Sequence, residues 1–237
     1  MPLADRSSAG RQLALLLERH RDADPIVVGL ARGGVVVASE IARALGAPLE
    51  LWITRRVCAP DAPDTTIGAV SEDGAVALNR DLIAELGLPH IAVAIEVVTE
   101  ASKIEQAVWA MRGGPAASLR DRVVILVDDG IATGATVRAA ARSIQARGPS
   151  ELVLAVPVCP FDVLEELEAD FDRVVCLQSL ARRDELARCY RDFWEVSEAV
   201  VAGIMTERER EQLDENDAAE RELELDAEWE GETTQSP

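Results

Sequence analysis

Short runs of β-branched residues alternate with stretches of helical spacing between residues 25 and 205. This alternation is typical of parallel strands joined by crossover helices, and it predicts an α/β fold whose sheet is buried on both faces. The predicted strands are Ile26–Leu30, Leu49–Thr54, Arg122–Val127, Leu152–Val158 and Arg173–Leu177. The predicted helices between them are Val35–Leu45, Thr136–Arg147 and Asp162–Ala169. A glycine, which commonly ends a helix, directly follows each of the first two.

Two segments interrupt that alternation. Ile67–Val70 and Ala75–Leu78 flank an Asp-Gly pair, which predicts a β-hairpin. Further along, apolar residues recur at helical spacing between positions 91 and 111, and a Gly-Gly-Pro sequence follows them. We therefore expect a long helix that lies outside the core sheet.

The formal net charge of −19 is unevenly distributed along the chain. Residues 207–237 include thirteen acidic and three basic side chains but few large apolar ones. Such a segment cannot bury enough surface to offset the entropy lost on ordering. We predict a globular domain over residues 1–206 and an acidic tail over 207–237 that is disordered or forms a frayed polar helix. A solvated tail is the simpler interpretation, and a partner-binding segment built on Leu225 and Trp229 is the alternative.

Composition disfavours several kinds of function. Nucleic-acid binding draws on clustered positive charge, whereas this chain has 24 basic and 43 acidic residues. Its apolar stretches are far shorter than the roughly 18 residues of a membrane span, so we expect a cytoplasmic protein without membrane contact. The 4 cysteines form no C-x-x-C pair and the 2 histidines are distant from them in sequence. Structural zinc and a disulfide framework are therefore not expected.

The most informative stretch covers residues 123–136. An apolar strand ends there in Asp128-Asp129, and a loop containing Thr133 and Gly134 leads into the next predicted helix. Ligands of open α/β sheets collect beyond the carboxyl ends of the strands, and the free N–H groups of a helix N-terminus attract an anion. Two adjacent carboxylates instead suit hydroxyl groups, a cation or developing positive charge. The stretch therefore predicts a site for a phosphate beside a polyol, as in a phosphorylated ribose.

This stretch resembles the signature with which type I phosphoribosyltransferases bind 5-phosphoribosyl 1-diphosphate (PRPP): apolar residues, two acids and a Thr-Gly-x-Thr loop. The resemblance extends from Asp5-Arg6 to about Met205. In its details the sequence is most similar to an uncharacterised bacterial branch of this family. Its other features are Leu30-Ala31-Arg32-Gly33-Gly34-Val35, Arg55-Arg56 with Ala59-Pro60, Ile67-Gly68-Ala69-Val70 and Tyr190-Arg191-Asp192-Phe193. It implies the type I phosphoribosyltransferase fold, a Rossmann-like parallel sheet flanked by helices, with a β-hairpin, a flexible loop and a small hood.

The resemblance implies a catalytic role for the acid pair. Asp128 and Asp129 would contact the ribose hydroxyls and favour the positive charge of an oxocarbenium-like transition state. Mg²⁺ is the implied cofactor, because it prefers hard oxygen ligands and PRPP supplies them on its pyrophosphate and ribose groups. The metal would bind through PRPP, and Asp128 and Asp129 are the candidate protein ligands.

Three further segments would complete the site by the same resemblance. The 5′-phosphate would lie in the loop formed by Ala132, Thr133, Gly134, Ala135 and Thr136. The pyrophosphate would lie against the turn formed by Arg32, Gly33 and Gly34. Arg55 and Arg56 would act in catalysis at the start of a mobile loop, running to residue 64, that closes over the reacting centre and excludes water.

The implied reaction is Mg²⁺-dependent transfer of the 5-phosphoribosyl group from PRPP to a small nitrogenous acceptor, for which a nucleobase is one candidate, with release of pyrophosphate. Ala132 stands where 6-oxopurine enzymes have an acid, so hypoxanthine and guanine are disfavoured, and the sequence indicates no replacement base. Ala31 and Arg56 stand where close relatives would have proline and lysine. These departures leave a PRPP-binding regulatory protein without turnover as the alternative function.

Residues near the end of the domain allow two interpretations. Tyr190, Phe193 and Trp194 would most simply pack the C-terminal segment, and the alternative is an aromatic ring that stacks on a nucleobase. The resemblance places the acceptor-binding hood in the N-terminal residues and the region after Leu177. The expected partners are PRPP and a small-molecule acceptor, without nucleic acid or membrane, and a homodimer would be unsurprising.

Overall fold

The computed structural model describes residues 2–181 and 188–214. Its strands are, in chain order, β1 (Ile26–Leu30), β2 (Leu49–Trp52), β3 (Thr54–Ala59), β4 (Ala62–Ser71), β5 (Val76–Leu78), β6 (Val123–Val127), β7 (Glu151–Pro160) and β8 (Arg173–Leu180). Its helices are α1 (Arg6–Leu17), α2 (Gly33–Leu45), α3 (Arg80–Glu85), α4 (His90–Met111), α5 (Ala135–Gln145), α6 (Phe161–Leu167) and α7 (198–214). A short 3₁₀ helix, Glu18–Ala23, follows α1.

The predicted parallel sheet is confirmed. Five strands lie in the order β2-β1-β6-β7-β8, and each neighbouring pair is parallel. Successive side chains of a strand point to opposite faces, so Val27 of β1 packs with Leu13 and Ile41 beneath α1 and α2. The next residue, Val28, packs with Val137 beneath α5 on the other face. Burial on both faces explains why these strands are continuous apolar runs.

A second, antiparallel sheet has the order β3-β4-β5. The predicted hairpin is present in it, with Gly68 opposite Leu78 and Val70 opposite Val76. The predicted strand Leu49–Thr54 is divided, because β2 ends at Trp52 in the first sheet and β3 begins at Thr54 in the second. The chain therefore changes sheets within one apolar run, which periodicity does not signal.

The segment predicted as a mobile loop, residues 55–64, is instead largely extended. It forms most of β3, the following turn and the start of β4, with register shifts between Val57 and Cys58 and between Cys58 and Ala59. The irregular register and the surrounding prolines obscured the strand period in the sequence. The correction concerns the secondary structure, and closure over the site stays a prediction.

The predicted long helix is present as α4, and its buried residues pack against the second sheet. Helix α7 packs on the same apolar cluster through Val201, and its Arg208 is 3% exposed. This helix includes residues 207–214 of the predicted acidic tail. The rest of that tail, with Leu225 and Trp229, lies outside the described residues, so the domain boundary stays a prediction. Within residues 2–181 and 188–214, no helix is both long and apolar enough to cross a membrane.

Candidate active site

The carboxyl ends of β1 and β6 lie side by side, because these two strands are neighbours with Gly29 opposite Val127. From β1 the chain proceeds outward to β2, whereas β6, β7 and β8 extend the sheet in the other direction. The strand order therefore reverses between β1 and β6. Ligands of open α/β sheets bind at such a reversal, and the loops predicted to hold ligand leave the sheet at this point.

The loop between β6 and α5 presents an open helix N-terminus. Ala132 and Thr133 are exposed, and Gly134 turns the chain with a φ of 76° before α5 begins at Ala135. Among the described side chains, none caps this end of α5. The first N–H groups of the helix therefore remain available to an anion, as the prediction of a phosphate loop requires.

The turn between β1 and α2 packs directly against the end of β6. A Cβ atom at Gly33 would overlap Oδ2 of Asp129, and one at Gly34 would lie 2.6 Å from the carbonyl oxygen of Val127. At Gly34 the obstacle is backbone, so only glycine fits there, whereas a side chain at Gly33 would displace the Asp129 carboxylate. The preceding Ala31–Arg32 peptide is cis, and the Arg32 guanidinium lies 3.2 Å from a carboxylate oxygen of Glu195.

The two adjacent acids have different surroundings. Asp129 Oδ2 accepts a hydrogen bond from Arg6 Nε at 2.7 Å. Asp128 Oδ1 accepts one from the backbone N–H of Asp129 at 2.9 Å. Burial raises the pKa of Asp128 well above its usual value, and the charge of Asp129 raises it further. Asp129 is therefore paired with a cation, whereas the surroundings of Asp128 disfavour its ionised form.

Arg6 also lies at the site. From the sequence it was named only as part of Asp5-Arg6, where the resemblance begins. Its side chain is buried, and besides Asp129 it donates from Nη1 to the carbonyl oxygen of Trp194 at 2.7 Å. Its guanidinium carbon lies 3.9 Å from the centre of the Phe193 ring. Asp5 caps α1 by accepting a hydrogen bond from the N–H of Ser8 and so starts the helix just before Arg6. An arginine beside a helix cap gives no signal of such distant contacts.

The three aromatic residues 190, 193 and 194 divide between the two predicted roles. Tyr190 is buried, stacks on Phe193 at 5.0 Å between ring centres, and donates from its hydroxyl to the carbonyl oxygen of Asp129 at 2.6 Å. Burial, followed by the charge of Asp129, raises the pKa of that hydroxyl. Phe193 and Trp194 are 40% and 42% exposed and line the cavity. Tyr190 is thus a packing residue, and the other two are accessible to a ligand.

Two arginines of β3 face the same space from the second sheet. Arg55 Nε donates to Glu100 Oε2 of α4 at 2.7 Å, and Arg56 is exposed. Together with the loops described above they enclose a cavity of about 840 Å³. The predicted site residues that line it are Arg32, Gly33, Arg55, Arg56, Asp128, Asp129, Ala132, Thr133, Gly134, Ala135 and Thr136. Gly34 lies behind this lining, against the end of β6.

Comparisons with known proteins agree with this geometry. The family model of the phosphoribosyl transferase domain matches residues 8–183, well over half of the chain. Two proteins from strains of Mycobacterium tuberculosis, both named "Putative phosphoribosyl transferase", are 38% identical to it over 210 residues. The chain belongs to the type I phosphoribosyltransferase family.

The extent of these matches differs between relatives. The alignment covers 87% of the chain but 47% of each mycobacterial protein, so the chain spans about half the length of the curated relatives it matches. Among solved structures, the protein TT1426 from Thermus thermophilus is similar with a TM-score of 0.72 and 36% identity, over 87% of this chain and 99% of that one. The phosphoribosyltransferase fold is therefore shared along nearly the whole length of that protein.

The acid pair is suited to a metal ion that the protein and its ligand would bind together. Within the described parts of the chain, no three His, Cys, Asp or Glu side chains are grouped as a metal site. Mg²⁺ commonly binds one or two carboxylates and completes its shell with phosphate oxygens and water. Asp128 and Asp129 supply carboxylates of that kind at the edge of the cavity, so the predicted Mg²⁺ would bind mainly through PRPP.

Proposed function

We propose that this domain transfers the 5-phosphoribosyl group of PRPP to a small nitrogenous acceptor and releases pyrophosphate. The observation that carries the proposal is the position of Asp128 and Asp129 between the N-terminus of α5 and the turn at Arg32, which open into one cavity. The α5 N-terminus accounts for the 5′-phosphate, the turn at Arg32 for the pyrophosphate, and the acids between them for the ribose. Belonging to the phosphoribosyltransferase family supports the same assignment.

The reaction is a displacement at the anomeric carbon of the ribose. The carbon–oxygen bond to pyrophosphate breaks while a bond to an acceptor nitrogen forms, and the nitrogen then loses its proton. Positive charge develops on the sugar, and the carboxylate of Asp129, which lies 2.7 Å from Arg6 Nε, stabilises that charge. Arg32 at the pyrophosphate turn stabilises the leaving group. When bound, Mg²⁺ would offset further charge on the pyrophosphate oxygens.

Water must be kept from the same carbon, because hydrolysis of PRPP competes with transfer. Arg55 and Arg56 face the cavity from β3. The second sheet, to which β3 belongs, would therefore cover the reacting centre and exclude water. The salt bridge between Arg55 and Glu100 ties this cover to α4. We propose that binding of PRPP draws the β3–β4 hairpin towards the acid pair.

The acceptor lies, in this proposal, beside the exposed rings of Phe193 and Trp194. Flat, largely apolar rings suit a planar heterocycle. Ala132 supplies no carboxylate for such an acceptor, which continues to disfavour hypoxanthine and guanine. The acceptor must therefore lose its proton to another group or to water.

Pyrophosphate release from PRPP is the measurement that tests this function. We expect release with Mg²⁺ and one class of nucleobase or related heterocycle, and none without acceptor or after chelation of the metal. Stabilisation of the protein by PRPP in thermal unfolding, without release for any acceptor, would instead support the regulatory alternative. Absence of both responses would refute PRPP binding.

A pair of glycine variants makes this test specific to the site. Gly33→Ala places a methyl group against the Asp129 carboxylate, whereas Gly114→Ala places one in open space with no atom within 4 Å. We expect the first variant to lose both PRPP stabilisation and turnover and the second to keep them. Equal behaviour of the two variants would separate the activity from this cavity.

A further inference from the structure

The proposed reaction requires a group that takes the proton of the attacking nitrogen. Among the described residues that line the cavity there is no histidine, and four side chains are carboxylic acids: Glu100, Asp128, Asp129 and Glu195. The acid pair is assigned to the ribose. Glu100 accepts hydrogen bonds from Arg55 and Lys103, and its side chain is only 16% exposed. Glu195 is the one carboxylate of the four that has no such assignment.

Glu195 is tied to the surroundings of the acid pair at both its backbone and its side chain. Arg6 donates from Nε to Asp129 and from Nη1 to the carbonyl oxygen of Trp194, which belongs to the peptide that joins Trp194 to Glu195. At the other end, the Glu195 carboxylate accepts a hydrogen bond from Arg32 Nη2 at 3.2 Å. The carboxylate therefore lies at the turn assigned to the pyrophosphate, beside the reacting part of the cavity.

The neighbours of Glu195 in the chain are the exposed rings of Phe193 and Trp194, against which we place the heterocycle. A planar heterocycle that stacks on a ring presents its N–H groups at its edge. A carboxylate on the next residue is suited to accept a hydrogen bond from that edge. The same short segment thus supplies both the stacking surface and a carboxylate that can remove a proton.

We infer that Glu195 is the general base that takes the proton from the heterocycle during transfer. This inference rests on the proposed function. The bond from the anomeric carbon to the pyrophosphate oxygen breaks, and its electron pair leaves with pyrophosphate. An electron pair of the ring nitrogen forms the new bond to that carbon. The electron pair of the N–H bond stays in the ring, and the proton passes to a carboxylate oxygen of Glu195 and from there to water.

The contact with Arg32 leaves Glu195 able to move. The side chain of Glu195 is 85% exposed and that of Arg32 is 43% exposed, and ion pairs between exposed groups contribute little to stability. Pyrophosphate oxygens compete for the same guanidinium, which is suited to phosphate groups. Binding of PRPP would therefore release the Glu195 carboxylate towards the heterocycle. This accounts for a general base that is paired with a cation before the substrate binds.

Glu195→Gln tests the inference, with Glu198→Gln as the matched control. Glu198 is an exposed glutamate three positions further along and is not part of the cavity lining. Pyrophosphate release gives kcat and KM for both substrates. We expect kcat of Glu195→Gln to fall by about 10²-fold, at the lower end of the effect of a general base, because water can take part of its role. The KM of PRPP should change little, and Glu198→Gln should match the unmodified protein.

The acidity of the heterocycle distinguishes a general base from a residue that only positions Arg32. Glu195→Gln should be slowed most with weakly acidic heterocycles and least with those whose N–H is lost readily to water. Loss of positioning alone would slow all heterocycles equally and raise the KM of PRPP. Added formate should also restore part of the turnover of Glu195→Ala, since a small carboxylate can enter the vacated space. Chloride at the same ionic strength should not restore it.

The outcomes separate this inference from the proposed function. Pyrophosphate release that is unchanged in Glu195→Gln, or slowed equally for every heterocycle, would overturn the role of Glu195 and leave the transferase activity standing. No release by the unmodified protein with any heterocycle would overturn both. Glu195 is exposed, so circular dichroism and stabilisation by PRPP should show that its variants are folded and bind substrate.

Discussion

Two of the walls of the cavity differ in how far apart their residues are in the sequence. One wall consists of the loops after β1 and β6, in which the predicted ligand-binding residues are adjacent along the chain. The other consists of Arg6 and the segment 190–196. Arg6 is 123 positions away in sequence from Asp129, which it contacts in the first wall. It is 188 positions away from Trp194, which it contacts in its own wall. The first wall offers backbone N–H groups and carboxylates, and the second offers aromatic rings and one buried arginine. We expect the first to bind PRPP and the second to position the acid pair and the acceptor.

The largest expected effect is that of Asp129→Asn, because Asp129 is where the two walls meet. Loss of its charge removes both the stabilisation of the developing cation and the partner of Arg6. By analogy with loss of one preorganised electrostatic group, turnover should fall by about 10²–10³-fold. Pyrophosphate release at saturating PRPP measures this. Asp22→Asn, in the exposed 3₁₀ helix, is the control. Equal turnover of the two variants would remove Asp129 from the mechanism.

Arg6→Gln tests whether the second wall acts through the first. The change removes a charged hydrogen bond of about 1.5–3 kcal/mol, so we expect kcat/KM to fall by about 10–100-fold. Arg6→Lys should recover only part of this loss, since lysine keeps the charge but not the planar fork that reaches both Asp129 and Trp194. Because the charge of Arg6 also lowers the pKa of Asp128, its loss should raise that pKa further, and the acidic limb of the pH–rate profile should move to higher pH.

Arg11→Gln is the matched control on the same helix. Arg11 is 59% exposed and contacts Glu40 rather than the cavity. We expect its kinetics and pH profile to match those of the unmodified protein. A pH profile of Arg6→Gln that does not move, with activity lost only through a lower melting temperature, would show a structural role alone.

Phe193→Ala sharpens the comparison between PRPP and acceptor. Aromatic contacts contribute about 0.5–1.5 kcal/mol, so the KM of the acceptor should rise by up to about tenfold while PRPP affinity changes little. Phe161→Ala, which removes a 57% exposed ring at the start of α6, is the control. If PRPP affinity falls as much as acceptor affinity, the division of roles between the walls is wrong.

The smallest effect should be that of Asp128→Asn on stability. Burial and the charge of Asp129 raise the pKa of Asp128, so its ionised form destabilises the fold at neutral pH. Asparagine retains the oxygen that accepts the Asp129 N–H and removes that charge. The variant should melt at a higher temperature than the unmodified protein at pH 8, although it binds PRPP less well. The difference should shrink as the pH falls through the raised pKa, because Asp128 then becomes neutral as well. Thermal melting over pH measures both statements, and a lower melting temperature at pH 8 would contradict them.

Much of the fold and of the first wall could be predicted because the relevant signals are local. A strand, two acids and a loop with Gly134 lie within 14 consecutive positions, 123–136, and chain connectivity alone places them together. The strands β1, β6 and β7 are buried on both faces, which makes them apolar runs that stand out from the helices. The β3 strand was harder to recognise, since its register shifts around Cys58 break the alternation on which prediction depends.

The sequence by itself therefore determined the parallel sheet, the acid pair and the two glycine-containing loops, since each depends on neighbouring residues or on a short period. Only the tertiary structure decided that Arg6 meets Asp129, that Tyr190 is buried while Phe193 is accessible, and that Glu195 reaches Arg32. Those contacts depend on where α1 and the segment 190–196 pack on the finished sheet. Packing is a property of surfaces from many elements at once, so no pattern within one element reports it.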